Sequence, residues 1–172
     1  MNNHAENDKI FLSSILVYLR SKSMEIEKKF LIKDLPDLSK YKYVEIQQGY
    51  LSTHPVVRVR RKDNDYILTY KGSGLLAHEE IEAVLTKEAY EHLLEKIDGH
   101  AITKRRYLIP LEPYTIELDV FSGHMEGLIM AEVEFPTIEA AESFTPPNWF
   151  GEEVTNDRRY HNSNMIFGNP LT

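Results

Sequence analysis

The sequence contains no cysteine, which excludes disulfides, zinc–thiolate sites and thiol nucleophiles together and fits a reducing compartment. It also lacks a surplus of positive charge: 20 Lys and Arg stand against 27 Asp and Glu, a formal charge of −7. A general nucleic-acid coat is thereby excluded, because such proteins neutralise phosphate with excess cations. Any polyanion site has to be a local concentration of Lys and Arg. Long apolar runs are missing too. The longest, Ile10 to Leu19, is interrupted by Ser13 and Ser14 and is about half the roughly 20 residues that a membrane-spanning helix needs. Glu6 and Asp8 upstream of it, with no small-x-small cleavage site, argue against a signal peptide. A cytoplasmic protein with no membrane partner is expected. Glycine is scarce, at 8 residues, and Gly72-Ser73-Gly74 is a turn, too short for a phosphate-binding glycine loop.

What remains is one ordinary domain. The 172 residues are 42% hydrophobic and 27% charged, enough to bury a real core. Residues 1–23 differ in character from the rest of the chain and read as an N-terminal extension of uncertain role; the functional domain spans 24–172. From Met24 onward the chain runs in short alternating segments: 25–32, 43–51, 56–62, 66–71, 79–85, 102–110, 114–121 and 128–135. Eight strands separated by turns, such as Asp63-Asn64-Asp65, predict an α+β, mostly β fold built on an antiparallel sheet or barrel. Two helices interrupt them. Thr86 caps a segment in which Ala89, Tyr90, Leu93, Leu94 and Ile97 recur at helical spacing, and a second helix occupies 137–144 before Pro146-Pro147.

The informative feature is what alternates. Residues i and i+2 of a strand share a face, so Glu25, Glu27 and Lys29 lie opposite Ile26 and Phe30, and Arg58, Arg60 and Lys62 lie opposite Val57 and Val59. Glu80 and Glu82, Lys104 and Arg106, Glu117 and Asp119, and Glu132 and Glu134 form further same-face pairs; Lys71 ends its own strand. One such pair is an ordinary solvated face. Six, almost wholly ionised and segregated into acidic and basic strands, predict a closed eight-stranded antiparallel barrel with a charged lumen and an apolar exterior covered by helices.

The bases of such a lumen repel one another unless an anion lies among them, and the carboxylates do so unless cations join them. Cross-strand pairing accounts for part of the set, Glu80 and Lys62 above all. A metal-bound polyphosphate satisfies both groups: Arg and Lys hold phosphate oxygens, and hard carboxylate oxygens bind Mg2+ or Mn2+ without thiols.

These residues resemble the CYTH superfamily, the triphosphate tunnel metalloenzymes, which includes class IV adenylate cyclases, thiamine triphosphatases and bacterial tripolyphosphatases. Glu25-Ile26-Glu27-Lys28-Lys29-Phe30 is similar to the E-x-E-x-K signature of that family, and it is succeeded in order by Arg58-Val59-Arg60, Lys71, Glu80-Ile81-Glu82, Lys104-Arg105-Arg106, Glu117-Leu118-Asp119, Glu132-Val133-Glu134 and residues 154–162. The resemblance covers 24 to about 165 and implies an eight-stranded tunnel. It implies that Lys29, Arg58, Arg60, Lys71, Lys104 and Arg106 contact a triphosphate. Glu25, Glu27, Glu132 and Glu134 would lead the metal ligands, with Glu117 and Asp119 at a second metal and Glu80 and Glu82 supporting catalysis. Asp157 to Asn162 would act by position. A homodimer is compatible with the family.

The remaining features are unremarkable. His54, His78, His100 and His124 fall in predicted turns, no histidine pair has metal-ligand helical spacing, and Ser13, Ser14 and Ser163 lack a triad by sequence. Trp149 reads as an anchor for the C-terminal crossing. The expected function is metal-dependent hydrolysis of a triphosphate, foremost inorganic tripolyphosphate, with nucleoside triphosphates as further substrates. Cyclic AMP synthesis from ATP and non-catalytic polyphosphate binding are the alternatives.

Overall fold

The computed structural model describes residues 18–20, 26–72 and 80–172, with only the backbone path for 18–20 and 80. The strands are β1 (Tyr18–Arg20), β2 (Ile26–Ile32), β3 (Tyr43–Thr53), β4 (Val56–Lys62), β5 (Asp65–Lys71), β6 (Glu80–Val84), β7 (Asp98–Leu111), β8 (Tyr114–Ser122), β9 (Ile129–Phe135) and β10 (Phe150–Glu153), with helices α1 (Lys87–Leu94), α2 (Ile138–Glu142) and α3 (Asn162–Met165). All ladders are antiparallel, in the order β1-β6-β5-β4-β3-β7-β8-β9-β2-β10.

Each of the eight expected segments forms a strand, but the sheet is not a closed eight-stranded barrel. Residues 26–172 supply nine strands and residues 18–20 a tenth. Closure would join β2 to β6, yet β2 already pairs with β10 and β6 with β1. β10, Phe-Gly-Glu-Glu, has no alternation to announce it; a bulged register on β2 and an ion pair from Lys28 to Glu153 at 3.2 Å attach it. The sheet nevertheless curls, because side chains from β2 through β9 line one common cavity.

Alternation divides the sheet as expected. On the convex side Phe30, Ile116, Leu118, Ala131, Val133 and Phe135 form a core roofed by α2, Phe144 and Trp149. Thr137 caps α2 by accepting from Ala140 N at 3.2 Å, and Thr86 caps α1 by accepting from Ala89 N at 3.2 Å, each satisfying an otherwise unpaired helix donor. Asp63, at φ 51, makes the two-residue β4–β5 turn and accepts from Glu45 N at 2.9 Å. Among the described residues no helix is long and apolar enough to cross a membrane.

On the concave side the charged residues of β2, β7, β8 and β9 lie towards one end. Towards the other, the inner face turns apolar, and Tyr50, Ile102, Phe121 and Met130 pack against Val154, Tyr160, Met165 and Ile166. Residues 154–166 thus cross the cavity floor as a strap. One end is tied to β2, where Val154 N donates to Lys29 O at 2.8 Å and Lys29 N to Thr155 Oγ1 at 3.0 Å. At the other end His100 N donates to Ile166 O at 2.8 Å. His100 is exposed as expected but stands in β7 rather than in a turn, and its ring lies 4.4 Å from that of His124. His124 does lie in a short turn, 123–125, but is half-buried, with its Nε2 3.1 Å from Met165 O. His54 is exposed in a turn as expected, and His78 lies outside the described residues.

Gly99 makes the strap's approach possible. It sits at φ +63, and a Cβ there would lie 2.3 Å from the Ile166 carbonyl oxygen. Gly99→Ala combines left-handed strain with a backbone clash, and is expected to destabilise the fold by about 2–4 kcal/mol, read as a lower urea midpoint with an unchanged slope.

Candidate active site

The cavity has a volume of about 570 Å³. Its wall is assembled by strand register. β9 lies between β2 and β8, so Glu132 stands directly opposite Lys29 on one side and Glu117 on the other. Arg106 on β7 stands opposite Asp119 on β8. Four bases and acids at these positions are buried: Lys29, Lys104, Asp119 and Glu132.

Their contacts form one continuous network. Lys29 Nζ lies 2.6 Å from Glu132 and 2.8 Å from Glu27. Lys104 Nζ donates to Asp119 at 2.5 Å. Arg106 donates to both Asp119 oxygens at 2.7 and 2.6 Å, to Glu132 at 2.6 Å, and to Glu117. Burial alone would depress the Lys29 ammonium, but Glu132 and Glu27 outweigh it and raise it. Burial likewise opposes Arg106, and Asp119, Glu132 and Glu117 hold it well above its ordinary range. For Lys104 burial wins over Asp119, so its ammonium is shifted down. The Glu132 carboxyl would rise with burial, yet Lys104, Arg106 and Lys29 hold it far below the usual carboxylate range. Burial pushes the Glu117 carboxyl up, against the pull of Arg106.

The facing wall is different in kind. Arg58 and Arg60 on β4 also line the cavity, and among the described residues no carboxylate forms an ion pair with either. Arg58 donates to Thr69 Oγ1 at 3.3 Å and Arg60 Nε to Gln48 Oε1 at 3.2 Å; the buried Arg58 Nε has no acceptor. Burial, with Arg58 and Arg106 adding repulsion, brings the Arg60 guanidinium down to about 10, so it stays charged at neutral pH. Lys62, Lys71 and Glu82 complete this side.

Of the expected site residues, Lys29, Arg58, Arg60, Lys71, Lys104, Arg106, Glu27, Glu82, Glu117, Glu132 and Glu134 all line the one cavity. Asp119 lies wholly buried beneath Lys104 and Arg106. Glu25 is outside the described residues, as is the Glu80 side chain, although the Glu80 backbone stands opposite Lys71. Thr155, His161, Asn162 and Ser163 of the strap also reach the cavity. Neither Gln48 nor Thr69 is signalled by charge or spacing; only the arginines opposite them in neighbouring strands point to them.

The donor set suits a hard divalent cation. Glu27 and Glu134 are direct cross-strand partners, a like-charge pairing that is unfavourable and that the Lys29 ammonium, 2.8 Å from Glu27, answers in part. No three Asp, Glu or His side chains among the described residues already surround one point, since Asp119, Glu117 and Glu132 are engaged with bases.

A curled antiparallel sheet enclosing clustered carboxylates and bases, two of the arginines forming no ion pair among the described residues, defines a polyanion-binding cavity protein. The sequence matches the CYTH domain across residues 23–164, and the chain belongs to that family. It is 39% identical over 150 residues to an inorganic triphosphatase of Nitrosomonas europaea, covering 85% of this chain and 99% of the relative. An inorganic triphosphatase of Acetivibrio thermocellus is 40% identical over 149 residues, covering 83% and 92%. A crystal structure of an inorganic triphosphatase superposes with a TM-score of 0.71 at 37% identity, covering 88% of this chain and 99% of that one.

Removing the Glu132 charge would leave Lys29 with Glu27 and Arg106 with Asp119 and Glu117, so Glu132→Gln is expected to cost about 1–3 kcal/mol. The depressed Glu132 carboxyl binds protons less readily folded than unfolded. Its stabilisation is therefore complete above its ordinary value of 4.5 and is lost as pH falls below it. Acid titrations of stability should show that limb in the wild type and a flatter one in Glu132→Gln.

Proposed function

We propose that this protein is a divalent-metal-dependent triphosphatase that hydrolyses inorganic tripolyphosphate, and secondarily nucleoside triphosphates, in a cytoplasmic setting. The observation that carries this reading is the Arg58–Arg60 wall: two part-buried guanidiniums facing a cavity, with no carboxylate ion-pair partner among the described residues. Such a wall requires an anion of several charges, and the two triphosphatase relatives supply its chemical class.

In this mechanism Arg58, Arg60 and Lys71 hold phosphoryl oxygens from one side while Lys29, Lys104 and Arg106 hold them from the other. A water attacks a terminal phosphorus, the bridging P–O bond breaks, and the leaving diphosphate carries off the electron pair. Most of the catalytic work is then positioning and charge stabilisation. Glu27 and Glu134, with Glu25, would hold Mg2+ or Mn2+, which would neutralise phosphate charge and polarise the phosphorus. Glu117, Asp119 and Glu132 orient the bases, and Glu82 and Glu80 serve the arginine side.

Phosphate release from tripolyphosphate, ATP and thiamine triphosphate, with metal or chelator, tests the reading. Rapid metal-dependent cleavage of tripolyphosphate is expected. Arg58→Ala or Arg60→Ala should raise KM by roughly 10- to 100-fold, from about 1.5–3 kcal/mol for a charge-assisted hydrogen bond. Cyclic AMP formation from ATP without tripolyphosphate cleavage, or binding without turnover, would overturn it.

A further inference from the structure

The two walls hold their bases by different chemistry. On the β7–β8 side buried carboxylates accept from Lys104 and Arg106. On the β4 side the acceptors are a neutral amide and a neutral hydroxyl, Gln48 Oε1 for Arg60 and Thr69 Oγ1 for Arg58. Both acceptors are nearly inaccessible to solvent, at 0% and 1% exposure. A buried neutral acceptor fixes the direction of a guanidinium while leaving its full charge to be answered elsewhere.

We infer that Gln48, supported by Thr69, is a positioning residue that orients Arg60 without neutralising it and thereby reserves that charge for the triphosphate. Gln48 stands opposite Arg60 in the β3–β4 register and beside the cavity without lining it. It acts through Arg60 rather than on the substrate. The amide orientation follows from chemistry, since the Arg60 Nε–H can be met only by the carbonyl oxygen; the Gln48 Nε2 on the other side has no partner. Arg106 is held up by its carboxylate partners, whereas Arg60 is brought down by burial and by the like charges of Arg58 and Arg106, which the neutral Gln48 does not offset. A glutamate at 48 would have the same shape and cancel the charge. The inference deepens the triphosphatase reading and rests on it.

The test is calorimetric titration with sodium tripolyphosphate in chelator, where no turnover occurs, on wild type, Gln48→Glu, Arg60→Ala and the double variant. Gln48→Glu should weaken binding at least tenfold and lower the salt dependence by about one charge. In the Arg60→Ala background the same substitution should cost little more, because its effect passes through Arg60. Where thermal melting shows that Gln48→Glu has unfolded the chain, Gln48→Met decides: binding weakened about threefold or more supports orientation by the amide. Wild-type binding equalled within twofold by the decisive variant, or additive losses in the double variant, would overturn the inference alone. A wild type that binds no tripolyphosphate would overturn the proposed function and this inference with it.

Discussion

The carboxylate of Glu132, caught between Lys29 and Arg106, is the interaction on which the cavity depends. Without it Lys29 would keep only Glu27, Arg106 would keep Asp119 and Glu117, and the bridge between the two bases would be lost. Register puts it there. β9 receives β2 on one edge and β8 on the other, so Glu132 meets Lys29 of β2 directly and reaches Arg106 of β7 across β8. A slip of one position would send Glu132 to the convex core and bring Val133 into the cavity. The charged network therefore specifies the register as firmly as the apolar face does.

Much of this was legible from alternation. Six same-face charged pairs located the cavity wall, and the apolar partners in between located the convex core, because a side-chain period of two leaves no other assignment. That the sheet stays open, with β10 on β2 where closure was expected, was not legible. Phe150–Glu153 carries neither alternation nor β-branched residues, and its place on β2 comes from the packing of Phe150 against Phe30, with ring centroids 4.8 Å apart. Nor could spacing say which base meets which acid. Lys29 finds Glu132 across 103 residues, a pairing that only the strand order decides. His100, next to Gly99, looks like a turn residue but extends β7, and the contact of His124 with the Met165 carbonyl depends on the distant strap.

The asymmetry between the walls has a physical consequence for ligand binding. On the β2, β7, β8 and β9 side the bases Lys29, Lys104 and Arg106 are each met by carboxylates. Arg58 and Arg60 form no ion pair among the described residues, so their electrostatic energy changes more when phosphate arrives. A self-paired surface facing a receptive one lets binding free energy go into holding the anion rather than into ordering both sides.

The strap from Val154 to Ile166 gives the molecule an order of assembly. Strands β3 to β5 are joined by short local connections and can pair as soon as they are synthesised, whereas Lys29 must wait for β9. The cavity floor must wait still longer, for a segment that leaves the ribosome after every one of its neighbours. A nascent chain that has extruded β9 but not Tyr160, Met165 and Ile166 would carry the charged wall with its apolar end uncovered. Until that segment has emerged, the anion site lacks its floor.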